Sequence, residues 1–182
     1  MALNTKTIKR RLKSIASTKK ITKAMEMIAA AKMRKAVNAA LDTRTYASLA
    51  WELLVNLSKT QKVQMPLLDA RPVEKILIIM ITSNRGLCGS FNANIIKKTA
   101  VQMKNPANIG KQIIEGKEVL PVAIPSVDVI GIGRKGADFA KKMGYNLIAS
   151  FTSMSDTPNL DDALPIARMV VDGYEKKNYD KV

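Results

Sequence analysis

Two glycine-bearing stretches stand where a phosphate or a carboxylate can be held. Gly131-Ile-Gly133-Arg-Lys-Gly136 fits the G-x-G-x-x-G spacing, follows an apolar run and precedes a helical pattern. That is the context in which glycines bring a pyrophosphate against a helix N-terminus. The acid that binds the ribose belongs at the end of the next strand. Asp156 has a suitable separation from Gly136 but falls past Phe151, in a Ser/Asp/Pro loop. A tight strand-to-helix turn uses the same glycines and is the preferred reading; a dinucleotide-dependent enzyme is the alternative. Thr82-Ser-Asn-Arg-Gly-Leu-Cys-Gly-Ser-Phe-Asn92 also follows an apolar run. Gly86 and Gly89 are placed to shape its turn, and its backbone N–H groups can cradle an anion. It lacks the Lys-Ser/Thr of a P-loop, which argues against nucleotide hydrolysis. Arg85, at the loop tip, suits a carboxylate on a protein partner.

Other chemistry is scarce. The 182 residues include one cysteine, Cys88, and no histidine. An internal disulfide is therefore impossible, and the usual general base and commonest zinc ligand are missing. Cys88 reads as a structural, partly buried thiol. No catalytic, cofactor-binding or metal-binding residue is assigned.

The formal net charge is +15, and it is uneven. Residues 1–35 hold eleven basic residues against one acid, Glu26. Such a segment attracts nucleic acid, lipid head groups or an acidic protein surface. Its first turns also match the composition of a transit peptide, but the pattern runs on into a much longer helix. From residue 3 to about 60 there is neither Gly nor Pro, and Ala, Lys, Leu and Met dominate. A helix of that length would extend roughly 85 Å at ~1.5 Å per residue, more than a compact domain of this size accommodates.

Apolar residues recur along it at steps of four and three: Ile8, Leu12, Ile15; Ile21, Met25, Ile28; Met33, Val37, Ala40. The phase slips between triplets, so an irregular coiled coil with one partner helix fits better than a strict heptad seam. No second long helix is present in the sequence to supply that partner. Between Ala24 and Met33 the helix is apolar nearly all round and built of small residues, so neighbours can surround it closely. No aromatic stands among the lysines to stack on bases, and the apolar positions are too many for a helix lying in a groove. A basic nucleic-acid-binding helix is nonetheless a second alternative, as a membrane-surface helix is a third.

The pattern then changes. Residues 61–74 read as a connector. Residues 75–82 are a continuous apolar run, a fully buried strand. A helix is expected over 92–104, mostly loop over 105–125 with a short strand near Val122, a strand over 127–132, a helix over 135–143 and a strand over 146–151. Asp161 or Asp162 opens a helix running to about Lys177, and Tyr179–Val182 begins another strand. The fold class is α/β: a long N-terminal coiled-coil-type helix (1–60), then a Rossmann-like, mostly parallel α/β domain over 75–182.

Two segments carry a family resemblance. The first is Lys19-Lys-Ile-Thr-Lys-Ala-Met-Glu-Met-Ile-Ala-Ala-Ala-Lys-Met-Arg-Lys35; the second, Ser83-Asn-Arg-Gly-Leu-Cys-Gly89. Together they closely resemble the gamma subunits of F-type ATP synthases, and Ile132-Gly-Arg-Lys-Gly136 is similar to that family as well. The family's loop reads Ser-Asp-Arg-Gly-Leu-Cys-Gly-Gly; here Asn84 and Ser90 depart from it, and the lost acid is expected to weaken the ordering of Arg85. No additional cysteine pair is present, so the thiol switch of plastid members is not expected. Family members continue through more sheet to a long C-terminal helix that winds against the N-terminal one, so the chain resembles the N-terminal portion of a gamma subunit.

The resemblance implies a non-catalytic rotor shaft without cofactor. It implies alpha and beta subunits as partners, together with an epsilon (and delta-type) subunit and the membrane c-ring, and no nucleic acid. Proton flow would be coupled to ATP synthesis or hydrolysis at the beta subunits. The expected location is peripheral, on the cytoplasmic face of a bacterial plasma membrane rather than a mitochondrial matrix face. Lys19, Lys20, Lys23, Met25, Lys32, Arg34, Lys35 and Arg85 are then the expected beta contacts. Ile8, Leu12, Ile15, Ile21, Ile28, Met33 and Val37 are the expected shaft core.

Overall fold

The computed structural model describes residues 5–58, 66–68, 71–114, 117–121, 124–155 and 158–182. The chain divides into two compact units, Met1–Asn56 and Leu57–Val182.

The first unit is one helix. Helix α1 spans Thr5–Ser58 without interruption and carries no buried residue. Its length follows from composition, since nothing in it breaks the backbone ladder. Several of its hydroxyl side chains bond within the helix: Thr18 Oγ1 donates to the Ser14 carbonyl at 3.0 Å and Thr22 Oγ1 to the Thr18 carbonyl at 2.9 Å. At 54 residues it extends about 80 Å.

The second unit is built on a parallel sheet. Strand β1 (Lys75–Ile81) is followed by helices α2 (Phe91–Lys104) and α3 (Pro106–Gly110). A short antiparallel pair comes next, β2 (Gln112–Ile114) with β3 (Lys117–Val119). Then come β4 (Ser126–Ile132), α4 (Arg134–Lys142), β5 (Asn146–Phe151) and α5 (Leu160–Glu175). The main sheet has the order β1-β4-β5, with β4 parallel to both neighbours. β1 and β4 pair in register from Lys75 with Ser126 to Ile81 with Ile132.

The expected strands and the helices over 92–104 and 135–143 are present, with bounds shifted by about a residue. The helix expected from Asp161 or Asp162 starts earlier. Asn159 is its cap and Asp162 returns a bond to the Asn159 N–H at 3.0 Å, a reciprocal capping box. The stretch over 105–125, read as loop, instead holds α3, β2 and β3. Pro106 starts α3 at a position where a missing N–H costs nothing. The expected strand near Val122 lies outside the described residues.

Apolar β1 and β4 are covered by helices, as parallel strands require. Ile76, Leu77, Met80, Val129 and Ile130 are fully buried. Met80, Val129 and Ala140 form one cluster, packed by Ile95, Met103, Phe139, Tyr145 and Leu147. The rings of Phe139 and Tyr145 meet edge to face, 5.8 Å apart. On the free side of β1 the expected opening strand is a single parallel bridge between Ile76 and Lys181. The Leu77 N–H donates to the Lys181 carbonyl at 2.9 Å, and the Asp180 N–H to the Lys75 carbonyl at 2.9 Å.

Candidate functional site

The two glycine-bearing stretches meet at the C-terminal edge of the sheet, around a cleft of about 770 Å³ lined by Ser83, Asn84, Arg85, Arg134, Thr152 and Ser155 among others. In an open α/β sheet this edge is where ligands bind. The decisive question is whether the α4 N-terminus has N–H groups to offer an anion.

It does not, because the loop after β1 fills it. The Arg134 N–H donates to Asn84 Oδ1 at 2.9 Å. The Lys135 N–H donates to the Ser83 carbonyl at 3.2 Å. The Gly136 N–H donates to Thr82 Oγ1 at 2.8 Å. Three consecutive residues thus take three consecutive donors that a pyrophosphate would need. The glycines serve this docking. Gly133 has φ +93, and a Cβ there would lie 2.1 Å from the Thr82 carbonyl oxygen. A Cβ on Gly136 would lie 2.9 Å from the Thr82 side chain, and one on Gly131 3.1 Å from Ala137. The fingerprint marks close packing of loop, strand and helix, and the dinucleotide reading fails for want of free donors. Asp156 lies outside the described residues.

The same loop is fixed from its other end. Asn92, near the start of α2, accepts the Ser83 N–H at 3.1 Å and donates to Ser83 Oγ at 2.8 Å and to Cys88 Sγ at 3.1 Å. Ser83 Oγ donates to the Arg85 carbonyl at 2.5 Å. Cys88 is partly buried, as expected for a structural thiol. The turn differs from expectation in one respect. Gly89 is left-handed (φ +59), but Gly86 is not, and a Cβ there would meet nothing within 4 Å. Leu87 takes the second left-handed position, at φ +64. Asn84 turns to the α4 N-terminus, so its role is a cap across the chain rather than a partner for Arg85. Arg85 is exposed at the tip.

Along α1, Lys19, Lys20, Lys23, Met25, Lys32, Arg34 and Lys35 are all exposed. Lys23 pairs with Glu26 at 3.1 Å, an exposed contact of about 0.2–0.5 kcal/mol. The expected core positions Ile8, Leu12, Ile15, Ile21, Ile28, Met33 and Val37 are uncovered too, from 39 % exposed at Ile8 to 65 % at Ile15. Among the described residues no helix is long and apolar enough to cross a membrane.

These features, an uncovered 54-residue basic helix and a packed strand-to-helix glycine turn, agree with a sequence match over nearly the whole chain. The family described as ATP synthase matches residues 4–182. The chain belongs to the ATP synthase gamma-chain family. It is 38 % identical over 182 residues to an ATP synthase gamma chain of Dehalococcoides mccartyi, covering 98 % of this chain and 58 % of that one. An ATP synthase gamma chain of Chlorobaculum parvum is 38 % identical over 97 % of this chain and 58 % of its own. One from Legionella pneumophila is 32 % identical over 97 % and 57 %. The chain therefore spans somewhat under three fifths of the gamma chains it matches.

Sequence reasoning missed one cluster in this gamma-family chain. Arg71, read as connector, donates through Nε to Asp180 Oδ1 at 2.7 Å, through Nη2 to the Tyr174 carbonyl at 2.9 Å, and to the Tyr179 carbonyl. It also stands 4.3 Å from the centre of the Tyr174 ring. Asp180 accepts the Glu74 and Lys75 N–H groups at 3.0 and 2.9 Å. Burial pushes the Asp180 carboxyl up, but these two N–H groups and the guanidinium outweigh it and hold the pKa below the usual carboxylate value. Burial, then the bond to Asp128 and its charge, push the Tyr179 phenol above its usual value. Partners more than a hundred residues apart leave no local signal in a sequence.

Proposed function

We propose that this chain is the N-terminal part of the rotor of an ATP synthase. In this reading residues 1–60 are one strand of the shaft, 61–74 connect it to the foot, and the α/β domain over 75–182 is the foot. The observation that carries it is α1, unbroken over 54 residues with no residue buried and eleven basic residues against one acid in the first 35 of the sequence. A helix alone of this kind is marginal in water, so it calls for a helical partner along its apolar stripe and an acidic sleeve around its basic face.

Lys19, Lys20, Lys23, Lys32, Arg34 and Lys35 supply long-range attraction to carboxylates of the beta subunits. Met25, Met27, Ile28 and Ala29–Ala31 make a narrow stretch that turns in a close sleeve without catching, because it offers no hydrogen bond or charge to hold it at one angle. Arg85 is a loop contact to a beta subunit. The foot passes torque to an epsilon subunit and the membrane c-ring, which places the protein peripherally on a membrane face, the cytoplasmic one in a bacterium. The chain contributes no catalytic group of its own; ATP chemistry belongs to the beta subunits. Two observations disfavour the alternatives: the α4 donors are filled from within, and α1 offers no aromatic before Tyr46 to stack on a base.

Co-expression with alpha and beta subunits tests this. A form extended at its C-terminus by the remainder of a gamma chain is expected to co-purify with them in fixed stoichiometry. The 182-residue form should be retained far less. Failure of the extended form to co-purify would overturn the reading.

A further inference from the structure

The chain that leaves α1 at Ser58 enters the main sheet at Lys75, the first residue of β1. Any tension carried along the backbone between the two arrives at residues 71–74. Upstream, Pro66 and Leu67 are exposed. Arg71 is different: its side chain is 16 % exposed, and so is held almost entirely within the foot. One guanidinium binds the end of α5 through the Tyr174 carbonyl and ring, the turn after α5 through the Tyr179 carbonyl, and the carboxylate of Asp180. Asp180 closes the circuit by accepting the Glu74 and Lys75 N–H groups. Val73 is buried inside this loop of bonds, and the Glu74 carbonyl accepts the Ser126 N–H of β4 at 2.9 Å. The connector is therefore tied to α5, to the segment beside β1 and to β4 within four residues. Stability alone is a poor reason for such a network, because a well-packed apolar pair often serves as well as a buried ion pair. What the planar fork supplies is fixed geometry among three segments, which a lysine cannot reproduce.

We infer that Arg71 is a positioning residue for torque transfer: it clasps the connector to the foot, so that α1 and the α/β unit turn in step. The inference rests on the rotor reading and deepens it by naming the residue at which backbone tension is taken up. Without the clasp, residues 71–74 can peel from the sheet, each adding roughly 3.3 Å of slack to the connector. Slack lets the shaft strand lag behind the foot, and ATP is then hydrolysed without the proton movement that should accompany it.

The test uses the complete gamma chain containing this sequence, free and assembled in the membrane-bound synthase, and compares Arg71→Lys and Arg71→Gln with wild type. The Leu77 and Asp180 amides, which donate to Lys181 and Lys75 across the junction, report its opening. Their hydrogen exchange should quicken roughly tenfold in Arg71→Lys and a hundredfold or more in Arg71→Gln, the scale of losing part or all of a buried charged network. Protons pumped per ATP hydrolysed should fall in the same order, to roughly half or less in Arg71→Gln as the open junction becomes a major species. The hydrolysis rate of the assembled complex should stay at the wild-type level. A merely structural role would instead reduce the amount of complex, lowering hydrolysis and pumping by one common factor. Should Arg71→Gln fail to assemble, Arg71→Lys decides by the same ratio. An unchanged ratio in a variant that assembles would overturn the inference while leaving the rotor reading intact, and so would junction amides that exchange at the wild-type rate. A wild-type chain that fails to assemble would overturn both.

Discussion

Asn84 accepts the Arg134 N–H at 2.9 Å, at the N-terminal end of α4, where the aligned peptide dipoles make the potential positive. A carboxylate at this position would accept the same bond and add charge complementarity, with exposed Arg85 and Arg134 nearby. Asn84→Asp should therefore stabilise the α/β unit by about 0.3–1 kcal/mol at low ionic strength, fading with salt. Asn84→Ala should destabilise it by about 1 kcal/mol. Urea midpoints with unchanged slope, together with the exchange rate of the Arg134 amide, measure both; an unchanged midpoint for Asn84→Asp at low salt would show that the cap contributes no electrostatic stabilisation. Part of this site was legible beforehand. The glycine spacing announced a strand-to-helix turn, and Arg85 announced an exposed tip. What filled the helix N-terminus was not legible, because Thr82, Ser83 and Asn84 stand some fifty residues from their partners and nothing local distinguishes a cap across the chain from a solvated loop. Leu87 was invisible for a related reason: side-chain type does not announce a left-handed backbone in leucine.

Elements were readable where one periodicity dominated. The apolar runs of β1 and β4 and the Gly- and Pro-free stretch of α1 each admit one structure. The α3–β2–β3 segment reads as loop because Pro106, Gly110, Gly116 and Pro121 suggest breaks, whereas Pro106 starts a helix and Gly110 closes it where a Cβ would lie 3.0 Å from the Pro121 ring. The junction of α5 with β1 depends on Arg71 and Asp180, and its pH response follows from them. The Asp180 carboxyl is lowered in the folded state, so the unfolded chain binds the proton more tightly. The resulting stability is present above the unfolded value of about 3.9 and is lost as pH falls through the folded one. Tyr179 acts oppositely: its raised phenol contributes stability below an unfolded value of about 10 that is lost at higher pH. Asp180→Asn should cost about 2–4 kcal/mol at neutral pH, because it leaves a mostly buried Arg71 without its counter-charge. The gap between variant and wild type should narrow below about pH 4, as the wild-type carboxyl protonates and gives up the charge that the variant never has. Parallel acid-unfolding curves would refute this account of the junction.

At the scale of the whole molecule the two units obey different rules. The α/β unit has its own core, with Val129, Ile130 and Ala140 wholly inaccessible to solvent, and should fold cooperatively. Helix α1 has no core at all: Ile8, Leu12, Ile15, Ile21, Met25, Ile28, Met33, Val37, Leu41, Leu49 and Leu53 are all exposed. Propensity alone makes such a helix marginal, since most helical stability in proteins comes from packing an apolar face. Two ways out are open to the isolated 182-residue chain: fraying of α1, or pairing of its stripe with a second copy, against which the positive charge concentrated in the first 35 residues repels at low salt. The expected outcome is a chain that frays when dilute and at low ionic strength, and self-associates as concentration and salt rise. Hydrogen exchange should then be orders of magnitude faster in α1 than in β1 and β4 in the dilute sample, and sedimentation should report the salt-driven association. A monomer whose α1 amides are protected as strongly as those of β4 would mean that the stripe needs no partner, and a rotor shaft of two helices would lose its physical basis.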